Sequence, residues 1–287
     1  MKIGLALAGG GVKGAAHIGV IKALEEANIK LDYISGSSSG SIVALLFSIG
    51  YTYDEILDIF KQYSKEIKYI DSKNLLKLIS GLITKGKITV NGLNSGDKLE
   101  KIINKVSKNK GIENINQINF PLLIPAIDIH SGEVYYFSNK NNFKNSSEVK
   151  FINNANISKV VRASCSYPLV FSPCKYMGTE LIDGGISENI PWKGLKQLGA
   201  DRVISIVFDK KNNKKCCSNF IEVISNSLDI MSKELLDYEL FGVDYIIQIK
   251  TENIGLLDME KIDYLYNLGY EITKKKIKNI LNKINNN

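Results

Sequence analysis

Residues 2–50 read KIGLALAGGGVKGAAHIGVIKALEEANIKLDYISGSSSGSIVALLFSIG. KIGLALA, at 2–8, is a short apolar run closed by glycines, the pattern of a buried strand. GGGVKG, at 9–14, is a turn. From Ala15 to Asn28 the apolar residues Ile18, Ile21 and Leu24 recur at helical spacing, with Glu25 and Glu26 near the end. Tyr33–Gly36 is a second short strand, GSSSG at 36–40 a second turn, and SIVALLFSIG a buried helix. The order strand, Gly turn, helix, strand, Ser turn, helix is the βαβ pattern of a parallel sheet covered by helices, an α/β fold.

Working outward, residues 52–117 are expected to be mostly helical, with interruptions at Gly81, Gly86, Gly92 and Gly96. FPLLIPAIDI (120–129), GEVYYFS (132–138), TELIDGGI (179–186), RVISIVF (202–208) and YIIQIK (245–250) read as strands or strands running into turns. VVRASCSYPLVFSPC (160–174) reads as irregular, and the remainder beyond 208 as mainly helix. No repeat or linker interrupts the chain, so residues 1–287 are expected to form one domain, with a helical extension over 209–287.

Composition narrows the chemistry. The 287 residues carry a formal charge of +7 and 44% hydrophobic residues, which excludes wholesale disorder. Of the 37 basic side chains only Arg162 and Arg202 are arginines. Base reading relies on arginine forks, so nucleic acid is not an expected partner. The four cysteines, Cys165, Cys174, Cys216 and Cys217, form no disulfide or zinc framework. With two histidines, His17 and His130, a His-rich metal site cannot be built, and no metal or cofactor is expected. The longest apolar stretch is too short to span a bilayer, and the N-terminal run reads as a strand rather than a signal peptide. A cytoplasmic location is expected.

Three motifs carry chemistry. GSSSG places Ser38 between Gly36 and Gly40, where a strand meets an apolar helix. A nucleophile elbow needs that clearance, although a plain Gly/Ser turn has the same letters. In GGGVKG, the glycines Gly9, Gly10, Gly11 and Gly14 allow several backbone N–H groups to point into one cavity and hold a phosphate or an oxyanion. The same letters match a dinucleotide fingerprint, but Asp32 precedes the second strand, where the ribose-binding acid should follow it. Asp183 closes a strand just before Gly184 and Gly185, either as a functional carboxylate or as an ordinary Asp-Gly turn. No histidine follows Asp183, so a triad in the order Ser, Asp, His cannot be completed. The base for Ser38 would have to be a carboxylate, and a free Asp titrates near ~4, which makes it a weak base at neutral pH.

In their order and spacing, GGGVKG, GSSSG and DGG resemble the patatin-like phospholipase family. Weaker resemblance continues through AIDIHSGEVYYFS, VVRASCSYPLVFSP and NIPWKGLKQLGADRVISI, roughly from residue 2 to 208. The resemblance implies a patatin-like three-layer fold, with a mostly parallel central sheet covered by helices. It also implies a serine acyl hydrolase acting on lipid carboxylic esters through a Ser38–Asp183 dyad and an acyl-enzyme. The oxyanion donors would lie around Gly10 and Gly11 in a loop shaped by Gly9 and Gly14. Lys13 occupies a position usually basic in the family, facing either a headgroup or solvent. The expected partner is a lipid ester, with peripheral contact to an anionic membrane as a further option. Segment 64–95 could be a lid or a packed helix, and KKKIK at 274–278 a membrane contact or a solvated face. The rival reading is a lipid- or nucleotide-binding module without catalysis.

Overall fold

One strand, Leu122–Asp128, organises the centre of the molecule. The computed structural model describes residues 1–66, 91–141, 146–209, 220–251 and 254–285. In chain order the strands are β1 (Ile3–Leu7), β2 (Tyr33–Gly36), β3 (Leu122–Asp128), β4 (Val134–Ser138), β5 (Val149–Ile152), β6 (Cys174–Tyr176), β7 (Thr179–Asp183), β8 (Arg202–Phe208) and β9 (Tyr245–Ile249). The α-helices are α1 (Ala15–Glu26), α2 (Ser39–Ser48), α3 (Tyr53–Glu66), α4 (Asp97–Asn109), α5 (Ile157–Ser164), α6 (Trp192–Leu198), α7 (Phe220–Glu239) and α8 (Ile262–Asn285). The strands form one sheet in the order β5-β4-β3-β2-β1-β8-β9, with β7 and β6 attached through β3. Most pairings are parallel; β3–β4, β3–β7 and β6–β7 are antiparallel. Every residue of β1, β2 and β3 is buried, which requires cover on both faces of the sheet, hence three layers.

A strand has two edges. On β3, β4 takes one of them from Leu123 to Ile127. The other edge is shared. β2 pairs in parallel with Leu122 and Leu123, and β7 pairs antiparallel with Ala126 to Asp128. The two strands therefore run toward each other and end within a few residues along the same edge. The residues after Gly36 and at Asp183 are brought together by this topology alone.

The strands and helices expected in 2–50 are present. The segment 160–174 differs from expectation, because its first part belongs to α5. Asn156 caps that helix by accepting the Lys159 N–H at 3.2 Å, while Ile157, Val160, Val161 and Ala163 are buried. The run of small and β-branched residues hid a helix whose stability comes from packing rather than propensity. β5 and β6 are strands of only four and three residues that no sequence pattern singled out. The strand expected at 245–250 is present as β9, which extends the sheet beside β8. Of the 64–95 segment, residues 67–90 lie outside the described residues, as do Cys216 and Cys217.

α8 crosses α1 with backbone in contact. A Cβ on Gly19 would lie 2.0 Å from the Tyr266 carbonyl oxygen, and one on Gly269 2.0 Å from that of Ala16. Either methyl forces the helices apart, and overpacking of this kind costs about 1–3 kcal/mol. Gly19→Ala and Gly269→Ala should each lower the unfolding free energy by that amount, read as a lower urea midpoint at an unchanged m-value. Wild-type midpoints for both would contradict the close crossing.

Candidate active site

Ser38 sits where β2 turns into α2, at φ 51° and ψ −125°. This conformation is disfavoured for a residue with a side chain and costs on the order of 1–3 kcal/mol, so the surroundings must enforce it. They do so by backbone contact. A Cβ at Gly36 would lie 2.2 Å from the Gly40 oxygen, and a Cβ at Gly40 2.5 Å from the Leu7 oxygen. The turn is pinned further: Ser37 N–H donates to Leu7 O at 3.1 Å, and Gly40 N–H to Ser37 O at 2.8 Å. Ser38 N–H donates to Ser164 Oγ at 3.2 Å, and the Ser41 hydroxyl donates to Ser38 O at 2.6 Å. The Ser38 hydroxyl thus stands at the N-terminus of α2, whose partial positive charge favours an anion there.

Asp183 ends β7 and is 1% exposed. Its Oδ1 accepts the Gly185 N–H at 2.7 Å. A Cβ on Gly184 would meet Pro125 O at 2.6 Å and Ser37 Oγ at 2.8 Å, so this turn lies directly against the Ser38 turn. Burial raises the Asp183 pKa from 3.8 to about 7, partly offset by the Ser38 hydroxyl and the Gly185 N–H. Asp183 Oδ2 has no hydrogen-bond partner among the described residues. The carboxyl is therefore a much better match for proton transfer at neutral pH than a free Asp near ~4.

The glycine loop closes the third side. The position of a Cβ on Gly9 would be 3.0 Å from Ser38 Cβ and 2.9 Å from Asn189 Oδ1. Gly9 N–H donates to that same Asn189 oxygen at 2.9 Å. Among the described residues, the N–H groups of Gly10, Gly11 and Ser39 have no acceptor. Those of Gly10 and Gly11 belong to the loop, and that of Ser39 to the first residue of α2, whose N–H no helix bond satisfies. Gly11, at φ 59°, opens a short 3-10 turn that ends at Gly14, where the chain enters α1. Lys13 is half-buried in this turn, its N–H donating to Gly10 O at 3.2 Å. Such an arrangement, a strained hydroxyl beside a neutral-range carboxyl and unpaired N–H groups, can form and stabilise an oxyanion.

Neither histidine joins the group. His130 is exposed and lies 3.5 Å from Glu180. His17 is fully buried, its Nε2–H donating to Ala8 O at 2.8 Å and its ring 4.8 Å from that of Phe208. Burial lowers its pKa to about 4, so it stays neutral and supports the strand end that leads into the glycine loop. Asp32 accepts the Ile3 N–H at 2.8 Å, at the end of β1 opposite the glycine loop. Sequence reasoning missed Asn189 and Ser164. Asn189 stood in NIPWKGL, a segment noted only as flanking text, and Ser164 in the stretch expected to be irregular.

The patatin-like phospholipase family model matches residues 5–196. The chain is 27% identical to lysophospholipase NTE1 of Meyerozyma guilliermondii, over 93% of this chain and 19% of that protein. It is 29% identical to an uncharacterised protein of Acanthamoeba polyphaga mimivirus, over 97% of this chain and 94% of the other. Among solved structures, human GIVD cytosolic phospholipase A2 superposes with a TM-score of 0.54 at 10% identity, over 99% of this chain and 59% of that one. This chain thus spans only about a fifth of the yeast lysophospholipase, while it matches the viral protein nearly end to end. By sequence motif, family match and fold, the chain belongs to the patatin-like phospholipase family.

Proposed function

We propose that the protein is a serine acyl hydrolase that cleaves carboxylic ester bonds of lipids, with Ser38 as nucleophile and Asp183 as base. The observation that carries this reading is the juxtaposition of Ser38, held in a strained turn, with a carboxyl whose pKa burial raises to about 7. The family and the lysophospholipase relative support the lipid ester as substrate class. The net charge of +7 suits peripheral contact with an anionic lipid surface, and among the described residues no helix is long and apolar enough to cross a membrane.

The chemistry runs in two steps. Asp183 takes the proton from Ser38 Oγ as the oxygen attacks the ester carbonyl, and the carbonyl oxygen becomes an oxyanion. The N–H groups of Gly10 and Gly11, with that of Ser39, donate to it. The intermediate collapses to an acyl-serine, and Asp183 returns the proton to the departing alcohol or lysolipid. Water then attacks the acyl-serine while Asp183 takes its proton; the second oxyanion collapses, the carboxylic acid departs, and Asp183 returns the proton to Ser38 Oγ. Each N–H donor to the oxyanion is worth about 10²–10³ in kcat.

Measured on a fatty-acyl ester, kcat should fall at least about 10³-fold in Ser38→Ala and in Asp183→Asn, with folded protein shown by circular dichroism. Near-wild-type turnover in either variant sinks the dyad. In the wild type, kcat/KM should rise with pH through a midpoint near the Asp183 pKa of about 7.

Stability follows the same group. The folded-state pKa lies above the unfolded value, so the folded protein holds an extra proton between the two. Stability is lost as pH rises from about 4 to about 7, and the cost is complete above that window. Asp183→Asn keeps an acceptor for Gly185 N–H and removes the titration. In thermal melts its advantage over wild type should grow across that window and then level, reaching at most about 4 kcal/mol. A pH-independent difference would show that Asp183 titrates normally.

A further inference from the structure

The glycine loop is held by a side chain that no sequence motif marks. Gly9 N–H is the one N–H of the three consecutive glycines that has an acceptor among the described residues, and that acceptor is Asn189 Oδ1 at 2.9 Å. Asn189 follows the Asp183 turn by a few residues, so it ties the loop to the carboxyl. Its oxygen and Asp183 Oδ1 both lie 3.0 Å from the position of a Cβ on Gly185, which puts the two oxygens on the same small patch. Asn189 is itself fixed from outside the turn. Its backbone N–H donates to Glu239 Oε1 at 2.6 Å, and the Glu239 carbonyl accepts the Trp192 indole N–H at 2.6 Å.

We propose, resting on the dyad reading above, that Asn189 is a positioning residue: it takes the Gly9 N–H, and so aims those of Gly10 and Gly11 at the reacting carbonyl. Glu239, at the end of α7, anchors this arrangement, so the C-terminal region supports the loop at the N-terminus. A neutral amide suits the position on electrostatic grounds. A carboxylate would accept the Gly9 N–H equally well, but it would stand beside Asp183. The other titratable groups around the pair are Cys165 and Tyr167 following α5, Glu188 on the same turn, Tyr136 on β4 and Glu239 on α7. Burial raises the pKa of Cys165, Tyr167, Glu188 and Tyr136.

The test compares wild type, Asn189→Ala and Asn189→Asp on a soluble fatty-acyl ester across pH. Asn189→Ala should lower kcat about 10- to 100-fold with KM within about threefold, because the loop loses its aim and not its substrate contacts. Asn189→Asp restores the acceptor and should recover most of kcat at high pH. Its acid limb should move up by about one unit or more, since a second carboxylate opposes ionisation of Asp183. A merely structural role would lower the melting temperature of Asn189→Ala but leave kcat per folded, fluorophosphonate-titrated site unchanged. Wild-type kcat in Asn189→Ala, or an unshifted acid limb in Asn189→Asp, overturns the proposal. Should Asn189→Ala fail to fold, Asn189→Ser, whose shorter side chain cannot reach the Gly9 N–H, takes its place with the same expected loss of kcat. A wild type that neither hydrolyses the ester nor reacts at Ser38 overturns the dyad reading itself, and this proposal with it.

Discussion

The shared edge of β3 is the constraint on which the site depends. A strand offers one row of hydrogen-bonding groups per edge, and β2 and β7 divide a single row between them. Because one runs parallel and the other antiparallel to β3, their C-terminal ends converge. Ser38 follows one end and Asp183 is the other, 145 residues apart in sequence and adjacent in space. β1 lies beside β2 in parallel and delivers the glycine loop at the same end of the sheet. The turn at Gly36 to Gly40 fits only because backbone meets backbone there, and the strain at Ser38 is maintained by that packing rather than by any local preference.

Electrostatics follow from the same crowding. A carboxyl at this depth loses hydration, and the loss outweighs the two donors that favour its charge, so the net shift is upward. The identical depth works in the opposite sense on His17, which is held neutral. The scarcity of histidine thus has a physical counterpart: the buried imidazole acts as a prop for the strand end, and a buried carboxyl has acquired the proton affinity that an imidazole usually supplies. Asp183 was expected to be a weak base near the free-acid value, and burial is what changes that expectation.

Much of this was legible in the chain. The βαβ order of the first fifty residues pointed to the sheet and the turn, and the family resemblance carried by the three motifs implied the pairing of Ser38 with Asp183. What was not legible arises from long-range packing. The pKa of Asp183 is a sum over neighbours from several elements. Asn189 looks like any loop asparagine until Gly9 is found opposite it, 180 residues away. α5 was hidden because its helical state rests on burial of β-branched residues, and β5 and β6 because strands of only four and three residues are too short for a sequence pattern to single out. Gly19 and Gly269 sit inside helices, where glycine is unfavourable, and that local inconsistency was the available sign of the α1–α8 crossing.

The central claim is that a buried carboxyl in the neutral pKa range activates Ser38. It is tested most directly by the rate at which a fluorophosphonate labels the protein as a function of pH, with the modified residue located by mass spectrometry. The account predicts a single adduct on Ser38, a labelling rate that rises through a midpoint near pH 7, and loss of that rise in Asp183→Asn. Labelling at another residue, or a rate at Ser38 that is unchanged by Asp183→Asn across the range, would contradict it.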